Sequence, residues 1–164
     1  KEIGRQSLND KWTIVPVGGA DLIPTFIALL GMHLDITVLI DSRKEGNQKI
    51  NNLAEKGYLN NKSIITIGEI IKSRFADIED LFSLEDYIHL YNLTFRKNHK
   101  PEDLTGTDPI VNKIARLENI ERFDHGKPAD YFLRNKDSIF NELSATTFDN
   151  FESLFDKINK TIKK

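Results

Sequence analysis

The sequence contains no cysteine, only one methionine and one tryptophan, and no long hydrophobic run. Without cysteine the chain forms neither a disulfide nor a thiolate metal site, which favours an intracellular protein. No apolar run approaches the roughly eighteen residues of a membrane span, and no signal peptide precedes the first predicted strand. We therefore expect a cytoplasmic protein. Because the sequence begins with Lys1 and has no start methionine, we also expect it to be a piece of a longer protein.

The sequence also has no excess of positively charged residues. The 23 lysines and arginines are outnumbered by 25 acidic residues, so the net charge is -2. This balance argues against a protein that holds nucleic acid by bulk electrostatics alone. If DNA is the substrate, cations or a partner domain must offset the carboxylates. The four histidines are scattered, which makes a zinc site less favoured.

The sequence is organised around the apolar run at residues 36–40, which ends abruptly on Asp41. Five aliphatic or β-branched residues without alternation predict a strand that is buried on both faces, as in a parallel sheet. The carboxyl ends of such strands form the ligand crevice of α/β proteins, which makes Asp41 a candidate functional residue. The alternative is that Asp41 only forms a turn or caps the next helix.

The first half of the chain alternates strands with helices. Apolar runs predict strands at residues 12–17, 36–40 and 63–67, and helical patterns lie between them at residues 21–31 and 47–56. This alternation predicts an α/β fold, a three-layer sandwich with a mainly parallel sheet. From Leu84 the pattern is helical to the end, interrupted by a polar loop at residues 96–107. We therefore predict an α/β domain at residues 1–97 and a helical C-terminal subdomain at 98–164.

A second acidic cluster follows the third predicted strand, at Asp77, Glu79 and Asp80. Asp77 and Asp80 are spaced as at a helix start, which accounts for them without any functional role. Alternatively, this cluster converges with Asp41 and Glu45 on one face of the fold. Hard carboxylate oxygens suit Mg²⁺ or Mn²⁺, and such an ion could activate water against a phosphodiester.

Three stretches of the chain follow a known family pattern. They are Ile-Val-Pro-Val-Gly-Gly-Ala-Asp at 14–21, Val-Leu-Ile-Asp-Ser-Arg at 38–43 and Ala-Asp-Ile-Glu-Asp-Leu-Phe at 76–82. Together they resemble the TOPRIM domain of OLD-family (overcoming lysogenization defect) ATP-dependent endonucleases. The match covers most of residues 8–95 and continues faintly at 123–129. The resemblance implies a DNA endonuclease domain that follows an ABC-type ATPase, uses divalent metal and acts in defence against phage or foreign DNA.

The resemblance also implies roles for individual residues. Asp41 would be the first aspartate of the family's Asp-x-Asp metal motif, and Glu79 and Asp80 would belong to its second acidic motif. Lys127 would be the basic residue that stabilises charge on the scissile phosphate. In full-length proteins of this kind, ATP enters only through the ATPase domain, through which dimers tend to form.

The chain departs from the family pattern in two places. Arg43 stands where the family has its second aspartate, so metal coordination would need Glu45 or Ser42 instead. The family's leading glutamate, in a Glu-Gly motif, would lie before Lys1. We therefore expect little or no cleavage by this chain alone.

Two other functions stay open from the sequence. One is a degenerate TOPRIM module that does not cut and serves assembly with an ATPase or a helicase-like partner, which Arg43 and the apolar faces of the helical half favour. The other is a nucleotide-binding or phosphatase-like enzyme that uses Asp41 as nucleophile. Arg43 counts against the second, because an aspartyl-phosphate enzyme would want an aspartate two residues after its nucleophile.

Overall fold

The structure is a computed structural model that describes residues 4–31, 33–43, 48–59, 63–121 and 123–162. None of the helices in these ranges is long and apolar enough to cross a membrane. Short 3-10 turns lie at Ala20–Leu22, Ile78–Leu81 and Pro101–Asp103. The regular elements, in chain order, are α1 (Ile23–Leu30), β1 (Val38–Ile40), α2 (Gln48–Glu55), β2 (Ile64–Thr66), α3 (Ile67–Ile71), α4 (Leu84–Phe95), α5 (Ile110–Leu117), α6 (Gly126–Arg134), α7 (Lys136–Glu142) and α8 (Ala145–Asn159).

The sheet of the described chain consists of β1 and β2, which run parallel with Leu39 opposite Ile65. Both strands come from the predicted apolar runs, and their carboxyl ends lie at the same edge. Ile27 of α1 and Ile50 of α2 are buried in the core beside β1. The structure thus confirms a mixed α/β fold with a parallel strand pair. The finer prediction of a three-layer TOPRIM-like sandwich stays a prediction.

The predicted strand at residues 12–17 is wrong, because the structure forms no strand there. Ile14 is 76% exposed and Val15 is 54% exposed, although Val17 at the end of the run packs against the core beside β1. Pro16 lacks the N–H that a central strand must donate. The residues just before the run are bonded to α8 instead of the sheet: the Gln6 N–H donates to Glu152 at 2.8 Å and the Asn9 N–H to Asn159 at 2.9 Å.

The chain after residue 83 is mainly helical, as predicted. Ser83 caps α4 by accepting the Asp86 N–H at 3.1 Å, and α4 packs its buried Tyr87 and Tyr91 against Ile114 of α5. Helix α5 begins at Ile110, after the predicted polar loop, and ends at Leu117. Residues 123–125 lead into α6, in which Pro128 is buried.

Helix α8 returns to the first half of the chain. Its Leu154 is 3% exposed and lies in one cluster with Ile65 and Ile67 of β2 and α3 and with Leu81. Residue 97 therefore divides the two predicted parts along the sequence, but residues from both parts pack together in this core cluster.

Candidate functional site

A two-residue bridge brings the two predicted acidic segments together. The Ser42 N–H donates to the Ala76 carbonyl at 2.7 Å, and the Ala76 N–H donates back to Ser42 at 3.2 Å. Ser42 follows directly on Asp41, and Ala76 directly precedes Asp77. The convergence of the two segments at the carboxyl edge of the sheet is therefore present in the structure.

Ser42 also connects this bridge to α3. Its hydroxyl accepts the Gly68 N–H at 2.7 Å, so the predicted alternative ligand is already used in a structural bond. A Cβ on Gly68 would lie 2.1 Å from the Ser73 carbonyl oxygen and 2.6 Å from Ser42 Oγ. Only glycine fits at this approach, which holds the end of β2 against the segment that carries Asp41.

Arg43 lies between two of the carboxylates. Its Nη1 is 3.0 Å from Asp77 Oδ1 and its Nη2 is 3.3 Å from Asp41 Oδ2. Arg43 and Asp77 are close enough for an ion pair, but their geometry does not meet the angles of a hydrogen bond. Asp77 Oδ1 is therefore buried and has no hydrogen-bond donor. The guanidinium thus serves as the counter-cation at the place where the resemblance expects a second aspartate.

Asp77 carries the strongest electrostatic signature of the site. Its side chain is 9% exposed, and burial raises its pKa to about 6. Arg43 opposes this shift, while the nearby carboxylates of Asp41, Glu79 and Asp80 add to it. The aspartate therefore lies in a crowded field of like charges that one guanidinium does not fully neutralise.

Asp41 is half-buried and belongs to the same field. Burial raises its pKa and Glu79 raises it further, whereas Arg43, the Ile78 N–H and His125 act in the opposite direction. Arg43 contacts both Asp41 and Asp77 and so links the end of β1 to the acidic turn. Asp41 therefore lies near a segment that is far along the chain, which the alternative role as a turn former alone does not explain.

Asp80 has a structural role in this arrangement. One carboxylate oxygen accepts the Asp77 N–H at 2.7 Å, and the other accepts the Ile110 N–H at 2.8 Å. These bonds confirm the helix-start spacing of Asp77 and Asp80, and they tie the turn to the first residue of α5. The role of Asp80 as a metal ligand stays a prediction, although both of its oxygens already accept a backbone donor.

Glu79 pairs with a histidine that the sequence analysis did not select. His125 Nδ1 lies 2.6 Å from Glu79 Oε1, and the Glu79 side chain is only 12% exposed. Lys127, the predicted basic residue, is exposed two residues further on, and it pairs with no carboxylate of the described chain. His125 lies in the same short turn as Lys127. Its contact with Glu79 could not be predicted from the sequence, because the two residues are far apart along the chain.

The donor chemistry of this site fits a hard divalent cation, since Asp41, Asp77 and Glu79 supply carboxylate oxygens and like-charge crowding. As the described side chains are placed, with Arg43 between two carboxylates, no three acidic or histidine side chains form a set that could hold a metal ion. Glu45, the fourth predicted ligand, lies outside the described residues. Comparison of the chain with protein-family models, curated proteins and solved structures finds no match.

Proposed function

We propose that this chain is the nuclease part of a divalent-metal-dependent DNA endonuclease, similar to the TOPRIM domains of OLD-family ATPase-nucleases. The observation that carries the proposal is the meeting of Asp41, Asp77 and Glu79 at the carboxyl edge of the parallel strands. The Ser42–Ala76 bridge produces this meeting from two segments that are far apart in sequence. Mg²⁺ or Mn²⁺ is the cofactor, and DNA is the substrate.

The three carboxylates have separate tasks in this proposal. Asp41 and Asp77 would hold the cation from opposite sides of the bridge, where Arg43 now pairs with both. Glu79 would add a third oxygen while it orients His125. A bound divalent ion would supply an activated water and charge stabilisation on the phosphate. The chain's own part is to keep these oxygens aligned through the bridge and the acidic turn.

A second candidate function is favoured by Arg43. The guanidinium contacts Asp41 and Asp77 where a bound cation would, so the same geometry suits a TOPRIM-like module that does not cut and serves assembly. In that case Asp41, Asp77 and Arg43 form a structural ion-pair network, and the chain's partners are an ATPase or a helicase-like protein.

Titration of Mn²⁺ into the chain by calorimetry separates these two functions. We expect one binding site, and we expect Asp41→Asn and Asp77→Asn each to weaken binding at least tenfold, because each removes a charged ligand of a shared site. Asp137→Asn is the matched control, since Asp137 is an exposed aspartate in the first turn of α7. Equal Mn²⁺ binding in the wild type and both site variants would contradict the nuclease proposal and favour the assembly module.

A further inference from the structure

A cavity of about 350 Å³ opens beside the acidic cluster at the carboxyl edge of the sheet. Asp41 and Arg43 form the wall that it shares with the cluster, and Arg74 lies on the side that follows α3. Its volume is near the lower end of the roughly 300–1,000 Å³ typical of small-ligand sites. The cavity is therefore large enough for a group of nucleotide size and too small for a broad interface.

The charges of this cavity differ from those of the acidic cluster. Glu69 in its lining is ion-paired with Lys157 and also accepts the Thr66 hydroxyl at 3.2 Å. Asp41 is paired with Arg43. Arg74 is exposed and has no ion pair within the described chain, so one positive charge is left over. An anion entering the cavity would meet Arg74 without displacing a partner from the described part of the chain.

Arg43 connects the two sides of the site. It lines the cavity and contacts two carboxylates of the cluster, and 57% of its side chain is exposed. A planar guanidinium suits a phosphate as well as a carboxylate, because both accept paired N–H donors. Arg43 is therefore placed to exchange a carboxylate for a phosphate without leaving the site.

We infer that this cavity binds the phosphate of one unpaired nucleotide, held by Arg74 and Arg43 next to Asp41. This inference rests on the proposed function and names its substrate class as single-stranded DNA or an unpaired strand end. Ile40 and Ile64 supply apolar lining for the nucleotide's sugar or base. A nucleotide can enter such a cavity only when it is out of the base-paired stack. The chain's net charge of -2 also gives no general electrostatic attraction to a duplex backbone.

The test measures binding of a fluorescein-labelled eight-residue oligothymidylate by anisotropy, in EDTA and over a series of NaCl concentrations. We expect Arg74→Gln to weaken binding at least fivefold and to reduce the salt slope by about 0.7, the value for one lost phosphate contact on a single strand. Arg43→Gln should also weaken binding. The matched control is Arg134→Gln, because Arg134 is an exposed arginine at the far end of α6.

Two competitors identify what the cavity accepts. Thymidine monophosphate should displace the labelled strand, whereas a blunt duplex of the same length should compete at least tenfold less well. No binding of the single strand at 50 mM NaCl, an Arg74→Gln variant that behaves like Arg134→Gln, or equal competition by the duplex would each overturn the inference. Because EDTA removes divalent ions, this outcome is independent of the Mn²⁺ titration that tests the proposed function.

Discussion

Asp86 belongs to a dense hydrogen-bond network outside the candidate site. Its Oδ2 accepts the Ser144 N–H at 2.9 Å and the Ser144 hydroxyl at 2.7 Å, and it also accepts the Thr147 hydroxyl. Thr147 is fully buried and accepts the Ser83 N–H at 2.8 Å. One carboxylate thus joins the first turn of α4 to the start of α8.

The same network makes Asp86 a source of pH-dependent stability. Burial opposes ionisation of Asp86, but the donors of Thr147 and Ser144 outweigh it and hold the pKa below its ordinary value of 3.8. A carboxyl group with a lowered pKa in the folded state stabilises the fold above pH 3.8, and this contribution is lost as pH falls through the folded-state pKa.

We therefore expect Asp86→Asn to lower the free energy of unfolding by about 2 kcal/mol at pH 7, the value of charge-assisted hydrogen bonds. The difference from the wild type should begin to shrink as the pH falls below 3.8 and should vanish as it falls through the folded-state pKa. Urea unfolding at pH 7, 5 and 3 measures this difference, with Asp137→Asn as the control. A difference as large at pH 3 as at pH 7 would contradict the assignment.

The site residues show how far sequence analysis reaches at this scale. Asp41 follows from the apolar run that it ends, and Glu79 from the acidic cluster. Asp77 forms an ion pair with Arg43, whereas Asp80 accepts the Ile110 N–H. Neither contact can be predicted from the local spacing of the acidic residues. The sequence places Asp77 in the acidic cluster but assigns the role of metal ligand to Asp80, whereas Asp77 is the buried carboxylate of the pair.

Among the elements, α8 connects the most distant parts of the chain. Its inner face carries the helical spacing that the sequence shows, and Leu154 packs on β2 and α3. Its outer residues hold the N-terminal segment, where Arg5 Nη1 lies 2.6 Å from Asp149 and 2.8 Å from Glu152. Loss of this packing should destabilise both predicted domains together.

Leu154→Ala tests that coupling. We expect the free energy of unfolding to fall by about 3 kcal/mol, as for a buried leucine whose cavity does not close. Urea unfolding should show one transition at the same midpoint by Trp12 fluorescence and by far-UV circular dichroism. Leu133→Ala is the control, because Leu133 is 69% exposed. Two separate transitions would show instead that the parts before and after residue 97 unfold independently.

The elements also show why sequence patterns partly fail. The strands at Val38–Ile40 and Ile64–Thr66 were predictable, because continuous apolar runs are typical of buried parallel strands. Residues 12–17 have a similar composition, but a strand needs a partner edge, and hydropathy alone does not show whether one is available. The preceding residues form hydrogen bonds with α8 instead, and these tertiary contacts cannot be predicted from the local sequence.

At the scale of the whole molecule, the acidic cluster and the cavity lie at the same edge of a small sheet. Carboxylates lie close together there, a cavity beside them is lined by an arginine without an ion pair among the described residues, and Arg43 contacts both. The net charge of -2 predicts weak binding of duplex DNA, and this agrees with the proposal of a cavity that takes one nucleotide at a time. The central claim is that Arg43 stands where a divalent cation would bind.

Mn²⁺ calorimetry of Arg43→Asp tests this claim most directly. The substitution removes the positive charge between Asp41 and Asp77 and supplies the carboxylate of an Asp-x-Asp pair. We predict Mn²⁺ binding at least tenfold tighter than in the wild type, and loss of that gain when Asp41→Asn is added. Unchanged or weaker Mn²⁺ binding by Arg43→Asp, or a gain that survives Asp41→Asn, would contradict the account.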